Sequence, residues 1–400
     1  MFTVSYAELE SAYTLSKSLM SGKGSDNVEV IFLVKDNTLT YVMYTSEGVY
    51  ARTMETAVID DGAECEVVFK YEEMDKFLGP FRSSATTPGT VTFDKQERYW
   101  EVLVEETIQY NGHKSVADFR LSIGKVSNAA LRTIDEARNA QGESVQTSAD
   151  HLLYSLQLAS KPLGAASGGV ASLFFTPQYL FVVNKNVYTF VANLTDIQET
   201  FSIGPSAVSS FIALCKQSVS TSAEGSTPLL DINISKNDKG RVSRIVASTA
   251  NEVLMVSARR GGGGMVKFES HVSGFEESHD IGLELDGAYF DSILQRMAFD
   301  GGSVDFTLAD DEFRVTSSNF NQAVDYIHYR LKGADKVKFS VSTSLFSRCI
   351  VKSGENLRIY LNPNGVRSYT MYVASTEAKP LADGGMATLW FTVVNVEKKQ

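Results

Sequence analysis

The chain has 400 residues, of which 43% are hydrophobic, 10% aromatic and 21% charged, and its formal net charge is −11. This length and composition predict about two to four domains with cores of their own and no long disordered segment. The acidic balance argues against a surface coated with phosphate-binding charge, but it leaves room for a basic stripe.

Six short helices are predicted, each with apolar residues at helical spacing. In chain order they cover 7–20, 72–79, 149–161, 205–217, 287–297 and 342–352. Start and stop residues support them, since Pro205 opens the fourth helix and Gly301 and Gly302 end the fifth. Two to four strands follow each helix, so that one supersecondary unit recurs along the chain.

Between the helices the hydrophobic period changes to two residues, which is typical of β-strands. The clearest stretches are YLFVVN (179–184), LDINIS (230–235), SVDFTL (303–308), EFRVTS (312–317), LRIYLN (357–362) and YTMYVA (369–374). Because strands outnumber helices severalfold, the sequence predicts an α+β protein dominated by antiparallel sheet.

Six repeated units, taken in pairs, predict three similar domains. Their bounds are 1–142, 143–268 and 269–400. The first boundary falls in 128–144, a candidate helical connector, and the second falls near 258–274. In the second stretch Gly261–Gly264 indicate a hairpin or linker, because no Lys-Ser or Lys-Thr pair follows to make a phosphate loop.

The sequence carries no signal for catalysis, a cofactor or a metal. The five histidines are dispersed, and the nearest pair, His271 and His279, fits no common metal spacing and is expected in a solvated loop. Neither a nucleophile elbow nor a Walker motif appears. No signal peptide is evident at the start and no apolar run is long enough for a bilayer, so we expect a cytoplasmic protein with reduced cysteines.

The order of these elements resembles that of DNA polymerase sliding clamps of the bacterial β type, in a longer, phage-like version. The resemblance is strongest in the strand–turn–strand stretch 301–327 and the strand–helix–strand unit 337–362. The final strand, 387–396, and the strand–Pro–helix start at 201–218 also fit. The stretch 377–385 is extra length that the family core does not need.

The resemblance implies a ring. Three clamp domains per chain and a head-to-tail homodimer would place antiparallel sheets outside and short helices inside. Double-stranded DNA would pass through without being read, and the ring would tether a DNA polymerase to its template. An ATP-dependent clamp loader would be a separate protein, in a bacterial cytoplasm or an infected host cell.

A basic lining is the DNA-binding prediction, because phosphates require positive charge on the helix faces that point at them. The predicted DNA-binding residues are Lys17, Lys23, Lys76, Arg82, Lys161, Lys216, Arg296, Arg348 and Lys352. The alternative interpretation is that amphipathic helices simply keep their charges in solvent, with bases favoured near helix C-termini by the helix dipole.

The resemblance also implies an apolar cleft, between the second and third domains, that binds short peptides of polymerases and loaders. The residues carried over to it are Phe174, Val187, Pro205, Val208, Phe391 and Val393. Each of them is equally well explained by core packing. Leu294 and Met297 are candidates for the contact between two chains.

Two other functions stay open from the sequence. A clamp-fold protein can tether transcription or recombination proteins instead of a polymerase. A β-rich viral structural protein would share the antiparallel sheets, but it would not need a base on each of six helices.

Overall fold

A computed structural model gives the fold. It describes residues 1–19, 28–82, 86–122, 124–140, 142–164, 172–184, 187–223, 225–259, 268–276, 281–297, 302–309, 312–331, 336–342, 356–364, 366–381 and 384–399. Within these residues it places seven α-helices and 28 strands. The strands form antiparallel sheets, so the predicted α+β class is confirmed.

The first third of the chain contains ten strands and three helices. In chain order they are β1 Phe2–Ser5, α1 Tyr6–Ser16, β2 Glu29–Lys35, β3 Thr38–Tyr44, β4 Gly48–Thr53, β5 Val58–Ile59, β6 Cys65–Lys70, α2 Tyr71–Leu78, β7 Thr86–Lys95, β8 Tyr99–Ile108, β9 Lys114–Ser122, α3 Asn128–Arg138 and β10 Glu143–Ser148. Short 3-10 turns, Lys17–Leu19 and Gly79–Arg82, follow α1 and α2.

The middle elements are α4 Ala149–Gly164, β11 Leu173–Phe175, β12 Tyr179–Asn184, β13 Val187–Ala192, β14 Phe201–Ile203, α5 Pro205–Thr221, β15 Leu229–Lys236, β16 Val242–Ser248 and β17 Glu252–Ser257. The last are α6 Phe268–Glu276, β18 Ile281–Leu285, α7 Gly287–Met297, β19 Ser303–Ala309, β20 Glu312–Thr316, β21 Asn321–Val324, β22 His328–Leu331, β23 Lys336–Ser342, β24 Leu357–Asn364, β25 Ser368–Ser375, β26 Ala378–Pro380, β27 Met386–Thr388 and β28 Trp390–Lys398.

The first five predicted helices correspond to α1, α2, α4, α5 and α7. The sixth, predicted at 342–352, falls beyond the described residues except for Ser342, which ends strand β23. All six stretches predicted as strands are strands. Among the described helices, none is both long and apolar enough to cross a membrane.

The chain divides into two compact units, Met1–Asp150 with Ser206–Ala258, and His151–Pro205 with Arg259–Gln400. Strands from the middle third of the sequence enter both units, β15–β17 in the first and β11–β14 in the second. The division into three similar domains remains a prediction.

The first unit contains a five-stranded sheet in the order β5-β1-β7-β8-β9 and an eight-stranded sheet in the order β10-β15-β16-β17-β4-β3-β2-β6. The pairing of β4 with β17 joins distant parts of the chain. There the buried Tyr50 hydroxyl donates a 2.7 Å hydrogen bond to the Glu252 carboxylate. This pairing makes one continuous sheet from strands of the first and middle thirds.

Helix α3 covers one face of the eight-stranded sheet, and it is the connector predicted within 128–144. Ala130 and Ile134 pack on Ile31 and Val42 of that face. The Ser127 side chain caps the helix by accepting a 3.1 Å hydrogen bond from the Ala130 amide. Alternate residues of a strand point to the same face of a sheet, so the aliphatic side chains of neighbouring strands form one apolar surface on which α3 packs.

The second unit is built on one branched sheet. Its main path is β14-β11-β12-β13-β28-β23-β19-β20-β21, and β28 also pairs with β25, which leads through β24 to β18 and β22. The hairpin β26–β27 forms a separate two-stranded sheet. Strand β28 therefore lies inside the sheet, between β13 and β25.

Helix α6 corrects one prediction from the sequence. It begins at Phe268, within the stretch 258–274 where the second domain boundary was predicted, and His271 is half-buried in the helix instead of lying in a solvated loop. The apolar Val272 and Phe275 occupy neighbouring turns on one side of that helix, a pattern that the flanking run of glycines obscures. Gly261–Gly264 themselves lie outside the described residues.

Candidate functional site

Exposed basic side chains occur on three of the helices predicted to carry them. Lys76 lies on the exposed side of α2, Lys216 on that of α5 and Arg296 on that of α7. Within the described part of the chain, no carboxylate forms an ion pair with Lys76 or Lys216. Arg296 donates a 3.1 Å hydrogen bond to the half-buried Gln322 side chain. These bases are placed where phosphates can reach them.

Lys17 differs, because its charge is already engaged within the first unit. Its ammonium forms a 2.6 Å ion pair with Asp75 and lies over the rings of Tyr13, at 4.7 Å, and Tyr71, at 5.7 Å. Burial, helped by Tyr71 and Asp75, raises the pKa of Tyr13 well above its usual range, so the phenol stays neutral and donates to Asp75. We therefore expect Lys17 to attract phosphates less than Lys216.

The other predicted DNA contacts lie outside the described part of the chain. Lys23, Arg348 and Lys352 lie outside the described residues, as do the side chains of Arg82 and Lys161.

Four phenylalanines form a continuous row on one face of the second unit's sheet, and we call them the aromatic row: Phe174, Phe181, Phe190 and Phe391. They are direct cross-strand partners on β11, β12, β13 and β28, so they share a face. Successive ring centroids are 4.6, 5.5 and 4.5 Å apart. Such close, nearly parallel rings form a flat apolar surface.

Helix α6 lies on this row. The Phe275 ring stacks on Phe391 with centroids 4.3 Å apart and an angle of 4° between the planes. The His271 ring lies 4.4 Å from Tyr188, which is next to the row on β13. At the other side, the Asn362 amide donates a 3.0 Å hydrogen bond to the carbonyl of Gly274.

The hairpin β26–β27 also contacts the same apolar cluster. Leu381, in the loop of the hairpin, and Ala387, on β27, are buried with the aromatic row. The Leu389 amide donates to the Glu377 carbonyl at the base of the hairpin, at 2.9 Å. The described residues of the extra length, 377–381 and 384–385, are thus part of a folded element of the second unit.

Three of the six predicted cleft residues come together here. Phe174, Phe391 and Val393 belong to one apolar cluster and are 6%, 0% and 1% exposed. Val187 lies on the opposite face of the sheet, because it pairs with Val394 and is three residues from Phe190. The three clustered residues are thus covered by other side chains of the same unit, among them Val272, Leu381 and Ala387.

The remaining two cleft residues lie on α5. Pro205 is exposed at the start of the helix, and Val208 is buried in the first unit. In the second unit, the Arg259 guanidinium lies against Gly204, where a Cβ would be only 2.4 Å from it. A side chain at position 204 would therefore displace the Arg259 guanidinium from its present place.

Met297, a candidate for the contact between chains, is 1% exposed and belongs to the core of its own unit. The side chain of Leu294 lies outside the described residues. Both residues are candidates because they lie near the end of α7. The side chain of Met297 points into the core there and is not available for a contact between chains.

Sequence reasoning missed Phe181, Phe190, Tyr188 and Phe275. A signal for the first three was present, because aromatic residues alternate in Tyr179–Asn184 and in Val187–Ala192, as they do along one face of a strand.

The cysteines offer no reactive centre among the described residues. Burial, with a contribution from Asp150, raises the pKa of Cys215 to about 12, so its thiol stays protonated. Cys65 is half-buried and its pKa is also raised, mainly by burial. No group of three His, Cys, Asp or Glu side chains suited to a metal occurs in the described residues.

No protein-family model and no curated protein sequence matches this chain. Solved structures match it over its full length. The DNA polymerase III subunit beta of Pseudomonas aeruginosa is 10% identical, has a TM-score of 0.68, and matches 100% of each chain.

Two further structures agree with this match. The Helicobacter pylori beta clamp bound to a DNA ligase peptide has a TM-score of 0.66, and the beta subunit of Thermotoga maritima has 0.65, each at 10% identity and over 100% of both chains. The chain therefore has the fold of bacterial β clamps, and the clamp fold predicted from the sequence is confirmed.

Proposed function

We propose that this protein is a DNA sliding clamp, a ring that encircles duplex DNA and tethers a replicative polymerase to its template. The observation that carries the proposal is the likeness to β clamps along the whole chain, at TM-scores of 0.65 to 0.68. The proposed role is not enzymatic, and it is exercised in the cytoplasm of a bacterium or of an infected host cell.

The exposed bases support a DNA-holding role. Lys76, Lys216 and Arg296 would contact phosphates, where counterion release makes binding non-specific and strongly dependent on salt. Such contacts position a duplex without reading its sequence, which suits a protein that slides. The net charge of −11 does not oppose this, since the bases need only dominate locally.

The proposed ring consists of two chains arranged head to tail, with the first domain of each facing the third domain of the other. Strand β9 ends the five-stranded sheet, and β21 ends one path of the larger sheet. Among the described strands, neither has a partner on its outer side, and such an edge can add a strand from another chain. A heterologous contact of this kind closes only when its rotation fits a ring.

Partner binding is proposed at the aromatic row. The Helicobacter pylori beta clamp has been solved with a DNA ligase peptide, and the present chain has the same fold. An apolar surface of stacked rings is well suited to anchor an aromatic or aliphatic side chain of a polymerase peptide. A separate ATP-dependent loader is proposed to open the ring, since a closed ring cannot thread onto circular DNA.

The proposal is tested by mass and by topology together. Light scattering should give twice the 43.8 kDa of one chain. After loading, the protein should remain on nicked circular DNA and run off the same DNA once it is linearised. Equal loss from circular and linear DNA would contradict encirclement, and would favour a clamp-fold tether that does not enclose its DNA.

A further inference from the structure

Helix α6 is a weak element by its own composition. It has nine residues, fewer than the roughly 12–15 that a helix needs to be stable in water without tertiary contacts. Gly274 lies in its interior, and glycine is among the poorest residues in that position. The helix therefore depends on what it packs against, and its described contacts are with the sheet of the second unit.

The sheet beneath α6 does not depend on the helix in the same way. Strands β12, β13, β28 and β25 are paired with one another along their lengths, so their backbone groups are satisfied without α6. Phe391 contacts the rings of Tyr179 and Phe190 as well as that of Phe275. If α6 lifts away, a folded sheet remains with Phe391 and Tyr188 uncovered where α6 had lain.

Phe275 lies on the aromatic row in the way that an aromatic anchor lies on an apolar surface. Its ring is parallel to Phe391 at 4.3 Å, while His271 and Val272 fill the adjoining part of the surface. A short amphipathic helix whose apolar side chains lie in a hydrophobic groove is one of the recurring ways in which proteins bind peptides. In this protein the helix that lies on the apolar surface is α6, a segment of the same chain.

We infer that α6 is an intramolecular occupant of the partner-peptide surface, and that a partner segment with an aromatic side chain binds by displacing it and replacing Phe275 on Phe391. The inference rests on the proposed function for the identity of the partner, but the occupancy itself does not. Only the form in which α6 has left the sheet binds the partner. The apparent association constant is therefore the intrinsic constant multiplied by the fraction of molecules in that open form.

The first test is native-state hydrogen exchange on the intact protein, without any partner. The amides of Val272–Phe275 should exchange at least about tenfold faster than those of β13 and β28 after correction for intrinsic rates, because α6 opens without unfolding the sheet. Equal protection in α6 and in the two strands would overturn the inference.

The second test measures peptide binding with three variants. The probe is a fluorescent copy of the DNA ligase peptide solved with the Helicobacter pylori clamp. Phe275→Ala removes the stacked ring, and Gly274→Ala adds a Cβ that would lie 2.6 Å from the Tyr372 hydroxyl. Glu269→Asp is the control, since this exposed side chain keeps its negative charge in the first turn of α6.

Both α6 variants should bind the probe about five- to tenfold more tightly than the parent protein, because the open fraction rises, and the control should not change. Weaker binding by Phe275→Ala would overturn the inference, since α6 would then be part of the binding surface. If no form binds the probe, the proposed partner site fails, and hydrogen exchange alone decides whether α6 opens.

Discussion

Two helices cover sheet faces in this protein, α3 in the first unit and α6 in the second, and they do so by different means. Helix α3 has 11 residues, a side-chain cap at Ser127 and small aliphatic contacts through Ala130 and Ile134. Helix α6 has nine residues and an internal glycine, and its contact consists of the Phe275 ring on Phe391 together with His271 and Val272. The first helix resembles part of a core, and the second resembles a docked peptide.

This contrast teaches that two helical covers of similar length need not be equally permanent. A cover with its own cap and a row of aliphatic contacts is expected to open only with the whole unit. A shorter cover with a glycine in its interior can open while the sheet stays folded. The following predictions test that distinction, from the largest expected effect to the smallest.

Phe391→Ala should lower the free energy of unfolding by about 3–5 kcal/mol, because it removes a fully buried ring from the middle of the sheet. Phe275→Ala should cost clearly less, since the helix that carries Phe275 can leave the sheet. Urea unfolding followed by fluorescence measures both. If both variants lose the same free energy of unfolding, α6 does not open separately from the sheet.

Ile134→Ala should cost about 2–4 kcal/mol, as expected for a buried isoleucine whose loss leaves a cavity under α3. Val272→Ala on α6 removes one carbon fewer than Ile134→Ala, and it should cost less than that difference in size explains, because α6 can open locally. Thermal unfolding by calorimetry gives both values. A larger loss from Val272→Ala would mean that α6, not α3, is the permanent cover.

Ser127→Ala should cost about 1 kcal/mol, because the Ala130 amide loses its capping acceptor. Faster amide exchange should appear in the first turn of α3 and leave α6 unchanged. Ser127→Asp keeps an acceptor and serves as the control. An unchanged exchange rate at Ala130 would show that the cap contributes nothing to the permanence of α3.

The smallest effects are expected from the removal of single basic side chains at the protein surface. Lys216→Ala should reduce the salt slope of DNA binding by about one and leave folding intact, as for the loss of one phosphate contact. Lys17→Ala should change that slope less, because Asp75 already pairs with Lys17. Fluorescence anisotropy against salt concentration measures both, and a larger effect from Lys17 would contradict the assignment.

Much of the fold could be predicted because periodicity is a local property. The apolar spacing of α5 and α7 and the alternation in β12 and β19 follow from residues within one element. The order of those elements was then enough to identify the clamp fold. Helix α6 was missed since Gly274 and the neighbouring glycines lower the helical signal of a stretch only nine residues long.

The candidate site was less predictable, because it depends on residues that are far apart in the chain. The resemblance pointed to the correct strand, β13, through Val187. Neighbouring residues of a strand point to opposite faces of the sheet, however, and the residue of β13 that belongs to the aromatic row is Phe190. Similarly, Lys17 follows the expected pattern for a basic lining. Its partner Asp75 comes 58 residues later and is fixed only by the packing of α1 against α2.

The pairing of β4 with β17 has a consequence for synthesis on the ribosome. Tyr50 and Glu252, which meet across that pair, are 202 residues apart. At ordinary rates of translation, of about 5–20 residues per second, strand β4 waits about 10–40 s for its neighbour. During that interval its edge is open to any other nascent strand. The eight-stranded sheet is therefore completed late, and a chaperone that shields β4 would raise the yield of folded protein.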